Sequence, residues 1–177
     1  LYAAGGQRMI VLVIGGSGSG KSAWAERLAV TLPGVARVYL ATMQVADGES
    51  LRRVERHRAQ RADKGFQTVE AAMDLAKAAL PEDASVLVED VPNWAANEMF
   101  GGGDTARMIP ALQSLAQRAR HLILVTGNVF VAYDETTMAY LKLLAEVNAA
   151  AAEMADAVVE VVCGLPVYVK GEIPCMC

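Results

Sequence analysis

The sequence predicts an α/β fold: a three-layer sandwich whose mostly parallel sheet is covered on both faces and ends in an antiparallel hairpin at its C-terminal edge. Three observations predict it. Apolar runs recur along the chain with helix-patterned segments between them, the alternation that βαβ units require. The first run passes through a glycine-rich loop into a helix, which makes the expected class P-loop NTPase-like. The last two runs are separated by Gly164-Leu165-Pro166, a break short enough for a hairpin.

Met9–Ile14 is an unbroken apolar run, as expected of a strand buried on both faces. It leads into Gly15-Gly16-Ser17-Gly18-Ser19-Gly20-Lys21-Ser22, a complete G-x-x-x-x-G-K-[ST] loop, and Ala23–Leu32 then reads as a helix. Val35–Ala41, Ser85–Glu89, Leu122–Thr126 and Ala157–Cys163 read as further strands, with Phe66–Glu70 a shorter one and Val167–Lys170 the hairpin partner. Helices are expected over Ser50–Arg61, Ala71–Leu80, Pro92–Phe100, Thr105–Arg120 and Glu135–Met154. Gly101-Gly102-Gly103-Asp104 reads as a loop, and no repeat or low-complexity linker interrupts a single domain over residues 1–177.

At 54% hydrophobic, 177 residues suffice for one well-buried core. A net charge of −4 argues against nucleic-acid binding by the whole surface, so phosphate recognition should be local. No apolar run reaches the ~18 residues of a membrane span, and Leu1–Arg8 lacks the order of a signal peptide, so a cytoplasmic protein is expected. Cys163, Cys175 and Cys177 fit no common zinc spacing and read as reduced and incidental.

The loop chemistry needs these residue types because several backbone N–H groups must converge on one polyphosphate, and glycine lets the chain turn without a Cβ in the way. Lys21 is expected to meet the β/γ-phosphates, and Ser22 to offer its hydroxyl to Mg2+, with the helix dipole aimed at the same charges. The implied ligand is a magnesium nucleotide. Glu89, chosen over Asp90, stands at the end of a neighbouring strand where a carboxylate can reach that metal. Glu70 is a further acid at the same edge of the sheet, or else a surface residue.

Arg52, Arg53, Arg56, His57, Arg58 and Arg61 form a dense cationic group, read either as a solvated helix face or as a nucleotide contact. Surrounding cations would keep the His57 ring neutral, with a nitrogen available as nucleophile, although a histidine on a polar helix is more often merely exposed.

With these residues in order, the chain resembles the bifunctional adenosylcobinamide kinase/adenosylcobinamide-phosphate guanylyltransferase family of cobalamin assembly. The resemblance runs from about Met9 to Lys170. It rests on Gly15–Ser22, Tyr39-Leu40-Ala41-Thr42-Met43-Gln44, Arg53 through Arg61, Thr68-Val69-Glu70, Leu87-Val88-Glu89 and Val147-Asn148. It implies that Gly15–Ser22 holds the triphosphate, and that Ala41, Thr42 and Met43 line the nucleotide site. Arg58, Ala59, Gln60, Arg61, Glu70 and Glu89 would contact guanine nucleotide. His57 matches the histidine that takes GMP from GTP. The resemblance further implies ATP or GTP as phosphate donor, Mg2+, a corrinoid substrate and a homotrimer.

The chain departs from the family pattern at Thr126-Gly127-Asn128-Val129-Phe130, at Tyr133–Met138 and at Asp63-Lys64-Gly65-Phe66. Two other readings stay open: a P-loop kinase of another small hydroxyl compound, and a non-catalytic GTP-binding regulatory protein.

Overall fold

The computed structural model describes residues 7–34, 36–44, 52, 55, 59, 61–130 and 132–174. Seven strands, β1 (Met9–Ile14), β2 (Ala36–Ala41), β3 (Phe66–Glu70), β4 (Ala84–Glu89), β5 (His121–Thr126), β6 (Ala157–Val162) and β7 (Leu165–Lys170), form one sheet in the order β3-β2-β4-β5-β1-β6-β7. All neighbours run parallel except β6 and β7. The α-helices described in full are α1 (Lys21–Thr31), α2 (Val91–Phe100), α3 (Met108–Arg118) and α4 (Glu135–Met154).

Side chains alternate across the pleat, and both sets are apolar because both faces are covered. Val11, Val13, Leu87, Ile123 and Val125 pack against Trp24, Ala25 and Leu28 of α1. Leu12, Val38, Leu40, Val86, Val88, Leu122 and Leu124 pack against Trp94 of α2, Leu112 and Leu115 of α3, and Leu144 and Val147 of α4. The three-layer sandwich with an antiparallel edge hairpin is therefore present. Ile173, fully buried, returns the chain after β7 to the α1 side of the core.

The segment Ala71–Leu80 is not the helix its pattern suggests; only Leu75–Lys77 forms a short 3-10 turn. Its backbone groups find partners elsewhere. Asn97 Nδ2 donates to the Ala72 carbonyl at 2.9 Å, Glu98 Oε1 accepts from the Asp74 amide at 2.6 Å, and Asp74 takes a left-handed φ of 48°. Thr105–Arg120 likewise divides: a 3-10 turn over Thr105–Arg107, with Asp104 accepting from the Ala106 amide, precedes α3.

The hairpin turn is also tighter than expected. Val162 pairs with Leu165, so the turn is Cys163-Gly164, with φ of 51° and 80°, the left-handed pair that a two-residue hairpin favours. Pro166 belongs to β7, an edge strand where its missing N–H is tolerated. Of the expected Ser50–Arg61 helix, residues 52, 55, 59 and 61 are described, and all four are helical. Cys175 and Cys177 lie outside the described residues.

Candidate functional site

β1 delivers the loop Gly15–Ser22 to the carboxyl end of the parallel strands, where open α/β sheets bind ligands. Gly15 is buried, and a Cβ there would stand 2.4 Å from Ser19 Oγ and 3.0 Å from the Val161 carbonyl. Gly18 and Gly20 hold φ of 72° and 89°, a region that side chains resist. The turn is braced by the Ser19 amide donating to the Gly16 carbonyl at 3.2 Å. Helix α1 starts at Lys21 with no side-chain cap from Gly20 and no acid in its first turn; the Lys21 amide donates to Ser19 Oγ at 3.4 Å, and the positive end of the helix faces the loop. Lys21 Nζ donates to the Gly16 carbonyl at 3.2 Å, folded over the same loop. Ser22 is half-buried beside it.

Two acids share one level of the sheet. Ala41 is in register with Glu70 on one side and Glu89 on the other, so the two glutamates stand two strand spacings apart, about 10 Å, on the face that carries α1. Glu70 is exposed, whereas Glu89 is buried and its Oε2 accepts a hydrogen bond from Tyr39 Oη at 3.1 Å. Asp90 instead caps α2, accepting from the Asn93 amide at 3.1 Å. Thr42 is wholly buried and latches β2 to β4: its hydroxyl accepts from the Asp90 amide at 2.9 Å and lies 2.9 Å from the Asp90 carbonyl. Ala41 and Met43 beside it are half-buried.

Arg61 is buried with its guanidinium 3.4 Å from the Tyr39 ring centroid, and its Nε and Nη1 have no hydrogen-bond partner among the described residues. Lys64 pairs with the buried carboxylate of Glu26 on α1, so two cations fasten this segment to the α1 layer. Ala59 is exposed, and His57, Arg58 and Gln60 lie outside the described residues. Burial, reinforced by the negative charge of Glu89, pushes the Tyr39 phenol well above its usual range; the Arg61 charge opposes this without reversing it.

Tyr39 opens one of the segments that carry the family resemblance, but the sequence assigns it no role of its own. It is a core aromatic by pattern, and the one available signal is that residues 37, 39 and 41 of β2 share the face on which Glu89 ends β4. Among the described residues no cluster of three or more His, Cys, Asp or Glu could hold a metal. A hydroxyl at Ser22 and a carboxylate at Glu89 would be donors of the kind magnesium takes when it arrives with phosphates.

A mostly parallel sheet between helical layers, whose first strand delivers a G-x-x-x-x-G-K-S loop onto an uncapped helix, defines a P-loop nucleotide-binding fold. Solved structures agree at the level of the fold. The flagellar accessory protein FlaH of Methanocaldococcus jannaschii matches with a TM-score of 0.50 at 11% identity, over 96% of this chain and 82% of that one. A type III secretion ATPase of pathogenic bacteria matches with a TM-score of 0.52 at 13% identity, over 90% and 56%. Within this class the chain belongs to the cobinamide kinase / cobinamide phosphate guanyltransferase family, whose model matches residues 11–169. The bifunctional adenosylcobalamin biosynthesis protein CobP of Pseudomonas aeruginosa is 34% identical over 91% of this chain and 97% of its own. The corresponding protein CobU of Salmonella typhimurium is 31% identical over 92% and 100%.

Proposed function

We propose that this chain is a bifunctional enzyme that phosphorylates adenosylcobinamide and then transfers GMP from GTP to the adenosylcobinamide phosphate. The observation that carries the reading is the Gly15–Ser22 cradle at the end of β1, with Glu89 on the same face two strands away, in a chain that matches the family over residues 11–169.

In the first reaction the loop amides and Lys21 hold the triphosphate of ATP or GTP while the hydroxyl of the aminopropanol arm attacks the terminal phosphorus; the bond to the β–γ bridging oxygen breaks, ADP or GDP leaves, and the hydroxyl proton passes to solvent. Lys21 leaves the Gly16 carbonyl for the β/γ-phosphates as nucleotide binds. Ser22 and Glu89 would hold Mg2+, which neutralises charge on the transferring group. In the second reaction a ring nitrogen of His57 attacks the α-phosphorus of GTP, forming a P–N bond as the bond to pyrophosphate breaks. A phosphate oxygen of the corrinoid then attacks the guanylyl phosphorus, a P–O bond forms as the P–N bond breaks, and the histidine is regenerated as adenosylcobinamide-GDP leaves. Ala41, Thr42, Met43, Arg58, Ala59, Gln60, Arg61 and Glu70 line or contact the guanine nucleotide in this scheme.

The partners are therefore a small-molecule corrinoid and nucleotide, handled in the cytoplasm by one domain and with no nucleic acid. Among the described residues no helix is long and apolar enough to cross a membrane. A homotrimer is the assembly proposed: Leu165, Val167 and Val169 are exposed on the edge strand β7, an apolar edge that a second copy would cover.

The test is labelling with GTP carrying a labelled α-phosphate. An acid-labile, alkali-stable protein label, lost in His57→Ala and discharged by adenosylcobinamide phosphate, is the expected result. A label surviving in His57→Ala refutes the histidine route. Release of ADP or GDP without label favours a kinase of another hydroxyl compound, and GTP binding without turnover favours a regulatory protein.

A further inference from the structure

Tyr39 joins the candidate magnesium carboxylate to the arginine-bearing segment through one side chain. The residue opposite it on β4 is Leu87, and Glu89 stands two residues further along, a step of about 6.6 Å that the tyrosine side chain spans to place its hydroxyl on Glu89 Oε2. The ring that carries the hydroxyl is held on two sides. Arg61 lies on its face at 3.4 Å, and Phe66 meets it edge-on at 6.3 Å and 78°. With Tyr39 only 5% exposed, the hydroxyl has little room to turn elsewhere.

The chemistry of the donor matters as much as its place. A cation hydrogen-bonded to Glu89 would compete with a metal for the carboxylate charge, whereas a neutral phenol fixes one oxygen and leaves the negative charge in place.

We propose that Tyr39 is a positioning residue whose hydroxyl orients Glu89 toward the magnesium of the bound nucleotide. The proposal rests on the reading that Glu89 serves that metal. Residues that orient metal-binding carboxylates act through affinity for the metal as well as through rate.

The experiment measures binding of a non-hydrolysable GTP analogue to the full chain as Mg2+ is titrated, for wild type, Tyr39→Phe, Glu89→Gln and the double variant. Tyr39→Phe keeps the ring between Arg61 and Phe66 and removes the hydroxyl alone. The expected result is an increase of about tenfold in the Mg2+ needed for half-maximal binding, with Mg2+-free affinity unchanged. Adding Tyr39→Phe to Glu89→Gln should then change nothing further, because both act through one carboxylate. A wild-type response to Tyr39→Phe while Glu89→Gln shifts the titration overturns the proposal alone, as do additive effects in the double variant. Absence of a shift in Glu89→Gln overturns the metal role of Glu89, and the proposal with it. Thermal melts of all four proteins report folding, and a Mg2+ shift that merely follows loss of folded protein also overturns it.

Discussion

The Gly164 amide donates to the Ser19 carbonyl at 2.8 Å, tying the β6–β7 turn to the phosphate cradle. The contact is close along its length: a Cβ on Gly20 would approach the Gly164 Cα to 3.2 Å, and one on Gly15 would approach the Val161 carbonyl to 3.0 Å. The cradle is thus shaped from behind by a hairpin that comes more than a hundred residues later, as well as by its own glycines.

Gly20→Ala meets both constraints, a φ of 89° and the Gly164 backbone. A left-handed alanine costs about 1–2 kcal/mol, and where the loop escapes that strain by moving, the loss appears as roughly tenfold weaker nucleotide binding. Gly102→Ala is the matched control, because it has a φ of 84° with nothing within 4 Å and lies after α2, away from the cradle. Equilibrium binding of a fluorescent GTP analogue should separate the two; equal affinities would refute the cradle argument.

Glu98 organises the opposite layer. Its carboxylate accepts from Trp94 Nε1 at 2.8 Å, from the Asp74 amide at 2.6 Å and from the Asp104 amide at 2.9 Å, and it is 4% exposed. Glu98→Ala strands three donors and should destabilise the protein by at least about 2 kcal/mol. Glu98→Gln keeps the volume but exchanges an acceptor for a donor, so a smaller loss is expected. Urea unfolding checks the order, and an alanine variant as stable as wild type would remove Glu98 from this role.

These contacts explain what the sequence makes legible. The strand, loop and helix from Met9 to Thr31 can be read directly because each signal is local: an apolar run, glycines at turns, and Lys-Ser opening the helix. Ala71–Leu80 has a helical pattern too, yet its backbone partners are Asn97 and Glu98, some 25 residues away, and no local rule sees them. The hairpin turn hides for a related reason, since Cys163 adopts a left-handed conformation that its identity does not advertise. In the candidate site, Glu89 is visible as the acid ending a strand, while Tyr39 becomes visible only once the register of β2 against β4 is known.

His121 opens β5 at the end of the sheet away from the cradle and is 1% exposed. Burial, followed by the charge of Arg120, holds its pKa below the ordinary 6.5, while the Pro33 carbonyl and Asp83 pull the other way without overcoming them. The unfolded chain therefore takes up this proton at a higher pH than the folded one. The stabilisation from keeping the ring neutral is complete above the unfolded value of 6.5, and is lost as pH falls below it and through the folded pKa. His121→Phe deletes the titration while keeping an apolar ring in the site. Between about pH 8 and about pH 5.5 the urea midpoint of wild type should fall further than that of the variant, since carboxylates common to both cancel in the difference. Parallel falls would show that His121 does not titrate with unfolding.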